Sequence, residues 1–154
     1  MMLKKLLAMG LISASVAFTG CQSIADGVSN IEKANLEQLQ NRTWIVTHIG
    51  NNAISTSPTA RNIPSLQLDS ASNRVSGADG CNRIMGGFKA GRDTLSFSQM
   101  AGTQMACLNT GNVPQQFTSA LSQVTNYHIE GKILKLLDNQ GNVLVQLVNA
   151  IQPR

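Results

Sequence analysis

Few side chains in this sequence have the type and spacing needed for acid–base or metal chemistry. The two histidines, His48 and His128, each stand in a β-rich stretch among apolar neighbours, and no local spacing adds the carboxylate or thiolate of a metal site. Asp79, which precedes Gly80 and Cys81, could act as an acid or base or could hydrogen-bond the backbone of its own turn. We favour the turn for Asp79, ordinary strand positions for both histidines, and no metal.

The common hydrolase and nucleotide-binding motifs are missing. The sequence contains no Gly-x-Ser-x-Gly, no His-Glu-x-x-His and no glycine-rich loop that ends in Lys-Ser or Lys-Thr. We therefore predict that the protein is not an enzyme, that it has no catalytic residues and that it carries no cofactor.

Residues 1–20 have the organisation of a bacterial export signal. Two lysines precede the apolar stretch Leu6–Phe18, which is too short to cross a bilayer. The segment ends in Phe18-Thr19-Gly20-Cys21, which resembles the lipobox of bacterial lipoproteins. We predict cleavage before Cys21 and acylation of that residue, for example with palmitate. The alternative is a plain secretory signal that leaves Cys21 as a free thiol.

Acylation of Cys21 would hold the protein at a membrane without a transmembrane helix, because several acyl chains anchor stably where a single chain does not. The residue that follows is Gln22, and the absence of Asp at this position favours the outer membrane, with the domain facing the periplasm. Residues 21–38 would form a tether and a short helix, the helix covering 30–39.

The charge of the chain does not predict a nucleic-acid partner. Two of the 12 basic residues leave with the signal, so 10 remain beside 8 acidic ones. Arg74, Arg83, Lys89 and Arg92 could form a cationic patch for anionic envelope polymers. Aspartates are interleaved with them, which favours an ordinary solvated surface.

With Cys21 acylated, Cys81 and Cys107 remain as an even pair in an oxidising compartment. They do not form a Cys-x-x-Cys, so the spacing indicates neither thioredoxin-like chemistry nor a zinc knuckle. We favour a structural disulfide over a redox or metal pair. Met105 and Cys107 would share one face of a strand, from which Cys107 could reach Cys81 if the two segments run side by side.

Short stretches of alternating apolar and polar residues predict a mainly β (α+β) fold. The spacing of Val113, Phe117 and Leu121 predicts one convincing helix, which would pack on the sheet. Four glycines between residues 74 and 88 indicate bulges or close approaches of backbone, and Trp44 is expected in the core. The predicted strands cover residues 44–49, 65–69, 74–77, 94–98, 127–130, 133–136 and 143–147.

The stretch around Gly80-Cys81-Asn82 and Gly86-Gly87-Phe88, followed by Thr103-Gln104-Met105-Ala106-Cys107, is similar to the META domain of HslJ-type bacterial proteins. This resemblance implies a domain over residues 39–149, a tail at 150–154 and a compact, antiparallel, barrel-like sheet with one helix in its C-terminal half. It also implies a structural motif, in which we favour Asn82 as a link between neighbouring strand backbones over the alternative of ligand binding. The motif residues are Gly80, Cys81, Asn82 and Gly87.

The same resemblance implies a stress-related binding or chaperone-like role. We therefore expect a non-enzymatic, lipid-anchored envelope protein whose partners are the membrane, through Cys21, and another envelope protein. The alternative is an inhibitor of an exogenous lysozyme or protease, because a rigid loop loses little entropy on binding. The loops Ala53–Pro64 and Ala78–Gly80 are the candidates for that role.

Overall fold

Alternation of buried and exposed side chains sets the strands, as in Ser65–Asp69, where the two leucines point inward and Gln67 points outward. The computed structural model describes residues 33–55, 62–108 and 110–150. The predicted signal, the lipidation site, most of the tether and the residues after 150 lie outside the described part of the chain. Within that part, no helix is both long enough and apolar enough to cross a bilayer.

The described residues form two helices and nine strands, joined by turns and irregular segments. Helix α1 is described over residues 33–39, within the predicted short helix, and α2 is Val113–Gln123. The strands are β1 Thr43–Ile49, β2 Asn52–Ala53, β3 Ser65–Asp69, β4 Arg74–Ala78, β5 Arg83–Ala90, β6 Leu95–Gly102, β7 Asn126–Glu130, β8 Ile133–Leu137 and β9 Val143–Asn149.

The strands form one antiparallel sheet in the order β6-β5-β4-β3-β1-β9-β8-β7, with the two-residue β2 added to β1. Strand β1 lies in the middle, so it joins the meander β3 to β6 to the C-terminal meander β7 to β9. The sheet curls into a half-barrel, and α2 packs on it in the C-terminal half of the chain. The predicted fold, a barrel-like antiparallel sheet with one packed helix, is confirmed.

The two edges of the curled sheet meet where the β5–β6 turn reaches β7. The amide of Leu95 donates to the carbonyl of Thr125 over 3.0 Å, and the amide of Tyr127 donates to the carbonyl of Asp93 over 2.8 Å. The phenol of Tyr127 donates to the carbonyl of Gly91 over 3.0 Å. These bonds join the first and last strands of the sheet at one point and leave the rest of both edges unpaired with each other.

One hydrophobic core lies between the sheet and the helices. Helix α2 contributes Phe117 and Leu121, and α1 contributes Leu39, which is fully buried. The indole N–H of Trp44 donates to the carbonyl of Leu39 over 2.9 Å, so the end of α1 is tied to the first strand. Burying a leucine of this kind contributes about 1.5–3 kcal/mol to folding. Trp44 is itself fully buried, so it is a core residue, as predicted.

Two of the four glycines between residues 74 and 88 stand where backbones approach closely. A Cβ atom on Gly77 would overlap the carbonyl oxygen of Ser65 in the neighbouring strand, and one on Gly86 would lie 2.8 Å from the carbonyl oxygen of Ser98. Strand β6 bulges opposite Gly86, with Gln99 at a φ of 51°. The predicted close approaches and bulge are both present.

Ala150, the first residue of the predicted tail, still contacts the sheet. Its amide donates to the carbonyl of Thr43 over 2.9 Å, which extends the pairing of β9 with β1 by one residue. The sheet therefore holds the chain up to this residue.

Candidate functional site

The β4–β5 connection is built on the carboxylate of Asp79. This side chain is only 4% exposed, and its Oδ1 accepts the backbone amides of Cys81 over 2.9 Å and Asn82 over 2.6 Å. The amide of Asp79 in turn donates to the carbonyl of Asn82 over 3.0 Å. The carboxylate closes its own turn, which is the role that the sequence favoured over acid–base chemistry. The turn spans Asp79–Asn82, so Cys81 lies in it and not on the next strand.

Asn82 connects this turn to the segment that follows β6. Its Oδ1 accepts the backbone amide of Met105 over 2.8 Å, while its Nδ2 lies 3.4 Å from Oδ2 of Asp79. Beside it, Arg83 and Thr103 exchange two hydrogen bonds, one of which uses the Thr103 hydroxyl. The side-chain amide therefore holds two backbone segments together.

The two glycines of the motif have different surroundings. Gly80 has a φ of 104° and packs against Pro64 and Val113, so the turn needs a residue that tolerates this conformation. Gly87 lies on β5, where a Cβ atom would come 3.0 Å from the hydroxyl of Ser98. Gly80 is therefore favoured by its backbone conformation, whereas at Gly87 the close neighbour is a side chain.

A disulfide joins Cys81 to Cys107, with the two Cα atoms 5.8 Å apart. The prediction that Met105 and Cys107 share one face of a strand was wrong, because β6 ends at Gly102 and residues 103–108 form an irregular segment. The segment is guided to Cys81 by Asn82, whose partner is the backbone of Met105. The cysteines therefore meet through a hydrogen-bonded loop and not through a shared strand face.

This loop, residues 103–108, presents apolar side chains to solvent although it is fixed at several points. Met105 is 52% exposed and Leu108 is 90% exposed. Contiguous exposed apolar groups mark interaction sites, and this loop exposes two large apolar side chains within four positions. We call residues 103–108 the disulfide loop.

The two histidines do not form a second site among the described residues. His48 is half-buried, with Nδ1 3.1 Å from the hydroxyl of Thr47, and His128 is exposed on β7. Among the described residues, no group of three or more His, Cys, Asp or Glu side chains lies close enough to hold a metal ion.

A groove beside α2 was not predicted from the sequence. It has a volume of about 730 Å³ and lies between one face of the helix and the ends of β1 and β9. Its walls carry amide, hydroxyl and apolar groups, including Asn52, Gln115, Ser119 and Val143, and none of its lining residues is charged. The sequence of α2 indicates an uncharged polar face, but only the tertiary structure shows that β1 and β9 form a groove with this face.

The comparisons with solved structures agree on this architecture. A protein from Burkholderia xenovorans, solved by NMR, superposes with a TM-score of 0.58 at 25% identity, covering 77% of this chain and 88% of that one. A second NMR structure gives 0.57 at 19% identity, with 73% and 92% covered. A crystal structure of a DUF4847 family protein from Bacteroides vulgatus gives 0.54 at 17%, with 76% and 98% covered. The last two likenesses concern the fold alone.

The comparison with protein families gives a wider match than the one expected from the motifs. No curated protein matches the sequence closely enough to count as a relative. The META domain matches residues 37–150, which is most of the chain and slightly more than the expected 39–149. With the disulfide, the Asn82 bridge and the curled sheet in place, the chain belongs to the META domain family.

Proposed function

We propose that this protein is a non-enzymatic, lipid-anchored binding protein of the bacterial envelope, with a stress-related or chaperone-like role toward other envelope components. The observation that carries the proposal is the disulfide loop, where Met105 and Leu108 are exposed on a backbone that a cross-link and Asn82 hold in place. A loop fixed before binding loses little entropy when a partner covers it.

The motif side chains support a binding role over a catalytic one. Asp79 is buried and accepts two backbone amides, and Asn82 bridges two segments. Cys81 and Cys107 are bonded to each other, so neither is a free thiolate nucleophile. Each polar group of the motif therefore has a structural partner in place of a substrate.

The anchoring part of the proposal is supported by the sequence, where a lipobox-like segment ends at Cys21. Mass spectrometry of the mature protein tests it directly. We expect a chain that begins at Cys21 and carries the mass of its acyl groups, and fractionation should place it in the outer membrane. An unmodified Cys21 would contradict the anchor.

Crosslinking in intact cells, followed by capture of the protein, tests the binding role. Substitution of Met105→Ser together with Leu108→Ser should reduce the recovery of a specific envelope partner severalfold, because a fixed apolar contact is removed. Val143→Ser is the matched control, since Val143 is also apolar and exposed but lies on β9. Equal recovery with all three proteins, or unchanged stress tolerance after deletion of the protein, would count against the proposal.

Inhibition of an exogenous lysozyme or protease is a second candidate, and the rigidity of the disulfide loop favours it. The loop Ala78–Gly80 is a poor inhibitory loop, because Ala78 and Asp79 are buried. Half of the Ala53–Pro64 loop, residues 56–61, lies outside the described residues. Titration of purified hydrolases separates the two candidates, since an inhibitor would abolish activity at a one-to-one ratio.

A further inference from the structure

Helix α1 and two turns of the sheet form a continuous surface at the point where the chain enters the domain. The side-chain amide of Asn35 donates to the carbonyl of Arg92 over 3.1 Å, which joins α1 to the β5–β6 turn. Asn41 and Ser70 exchange hydrogen bonds of 2.9–3.2 Å, which join the end of α1 to the β3–β4 turn. We call residues 33–42, 69–74 and 89–94 the amino-terminal surface.

The net positive charge of the described residues lies on this surface. It carries five basic residues and three acidic ones, an excess of two. The rest of the described residues carry three of each sign and no excess. The basic residues of the surface are Lys33, Arg42, Arg74, Lys89 and Arg92, and the acidic ones are Glu37, Asp69 and Asp93.

Arg74 and Lys89 are placed to act together. Arg74 pairs with Gly87 across β4 and β5, so Lys89 is its diagonal neighbour on the same exposed face. Such neighbours are about 7–8 Å apart. Because Gly87 has no side chain, nothing on β5 stands between the two cations. Arg83, which the sequence grouped with them, lies at the far end of β5.

Among the described residues, Arg74, Lys89 and Arg92 form no ion pair with an aspartate. Asp69 is the cross-strand partner of Arg74, but its carboxylate accepts the amide of Ala71 over 2.9 Å and the hydroxyl of Ser72 over 2.7 Å. Within the part of the chain that the structure describes, the ion pairs are Lys33–Glu37 and Lys135–Glu130. The charged groups of Arg74, Lys89 and Arg92 therefore remain available to an anion.

The predicted lipid on Cys21 would bring the headgroups of a membrane close to the amino-terminal surface. Cys21 precedes Lys33 by twelve positions. A chain of that length reaches at most about 43 Å even when fully extended. A lipid on Cys21 would therefore keep the amino-terminal surface, more than any other part of the domain, within reach of the membrane.

We propose that the amino-terminal surface rests on an anionic phospholipid surface, with Arg74, Lys89 and Arg92 in contact with headgroup phosphates. This inference depends on the proposed lipid anchor for the proximity of the membrane. Each basic residue near an anionic lipid surface strengthens binding by about fivefold. Docking in this orientation leaves the disulfide loop, which lies at the other end of β5 from Lys89, facing the periplasm and its partners.

Hydrogen exchange on the acylated mature protein tests the proposal, with the protein reconstituted into vesicles of phosphatidylcholine alone or with added phosphatidylglycerol. Amides of the turns 69–74 and 89–94 should exchange at least about fivefold more slowly on the anionic vesicles, and added salt should remove the difference. The combined variant Arg74→Gln, Lys89→Gln and Arg92→Gln should lose this protection.

A matched control removes the same charge elsewhere, through Arg83→Gln, Lys132→Gln and Lys135→Gln. This variant should keep the protection of both turns. Equal exchange on the two kinds of vesicle, or equal loss in the control, would overturn the docking proposal while leaving the anchor untouched.

The mass of the same sample reports whether Cys21 is acylated, so failure of the anchor is a separate result. If Cys21 is unmodified, sedimentation of the unacylated chain with the same vesicles at low salt replaces the exchange measurement. An approximately hundredfold lower partition coefficient for the Arg74, Lys89 and Arg92 variant would then support the surface. Absence of salt-sensitive sedimentation would overturn it.

Discussion

At the scale of single residues, Asp79 shows how a buried carboxyl group can hold a turn together. Its carboxylate accepts two backbone amides inside a four-residue connection, and a third contact reaches the side chain of Asn82. Hydrogen bonds to an ionised group are about twice as strong as neutral ones. The carboxylate thus fixes the turn that carries both Cys81 and Asn82.

Substitution of Asp79→Ala is expected to lower the free energy of unfolding by roughly 2–4 kcal/mol, because two amides lose their acceptor in a buried turn. Urea unfolding followed by circular dichroism measures this change. Asp79→Asn keeps one carbonyl acceptor and should lose less stability. A loss for Asp79→Ala no larger than that for Asp79→Asn would contradict the role assigned to the carboxylate.

At the scale of elements, the close approach of β3 and β4 depends on the missing side chain of Gly77. A Cβ atom there would overlap a backbone carbonyl, which cannot move aside as a flexible side chain can. The strands pair regularly on both sides of this position, so the glycine removes a clash without interrupting the ladder.

Gly77→Ala should therefore destabilise the protein by about 2–3 kcal/mol, since the strands must shift to admit the methyl group. Gly131→Ala is the comparison, because Gly131 has open space around it and only a φ of 61° to disfavour alanine. That penalty is about 1 kcal/mol. Thermal or urea unfolding of both variants separates the effect of the clash from the effect of the backbone conformation. An equal loss of stability in the two variants would argue against the clash.

Two turns are closed by aspartates whose pKa is lowered. The hydroxyl of Ser72 is the main cause of the lowered pKa of Asp69, and the side-chain amide of Asn142 is the main cause for Asp138. Because both pKa values lie below the ordinary 3.8 in the folded protein, the stability they contribute is present above that pH and is lost as the pH falls through the folded values.

We expect the combined variant Asp69→Asn and Asp138→Asn to show a flatter fall of unfolding free energy than the wild type between about pH 5 and pH 2. Ser72→Ala should have part of the same effect, because it removes the strongest partner of Asp69 without removing the titrating group. Urea titrations at several pH values measure the slopes. Identical slopes for all three proteins would contradict this account.

At the scale of the whole molecule, the disulfide and the hydrogen bonds between sheet edges constrain different regions. The contact of Tyr127 with Gly91 joins β7 to the β5–β6 turn, while the disulfide joins the β4–β5 turn to the segment after β6. Strand β6 is thus held near both of its ends, although among the described residues much of its outer edge has no partner strand.

Replacement of both Cys81 and Cys107 by serine should lower the free energy of unfolding by about 3.5 kcal/mol, because the cross-link closes a loop with a sequence separation of 26. Amide exchange in the disulfide loop should also become faster, since one of its attachments is lost. Reduction of the wild-type protein is the control and should reproduce both changes. An unchanged stability would show that Asn82 and its neighbours hold the loop without the sulfur bridge.

The amino-acid sequence by itself determined the local structure. The alternation in Ser65–Asp69, the helical spacing around Phe117 and the Asx-type turn at Asp79 could all be predicted, because each depends on neighbours within a few positions. The even pair Cys81 and Cys107 also indicated a disulfide before any geometry was known.

The tertiary structure decided what depends on the register and curl of the sheet. Asn82 meets the amide of Met105, 23 positions away, because β5 and β6 pair with Ile84 opposite Gly102, and no local pattern predicts that register. The groove beside α2 and the separation of Arg83 from Arg74 and Lys89 arise in the same way. Side-chain periodicity states which face of a strand is buried, whereas the neighbours of that strand are set by long-range pairing and packing.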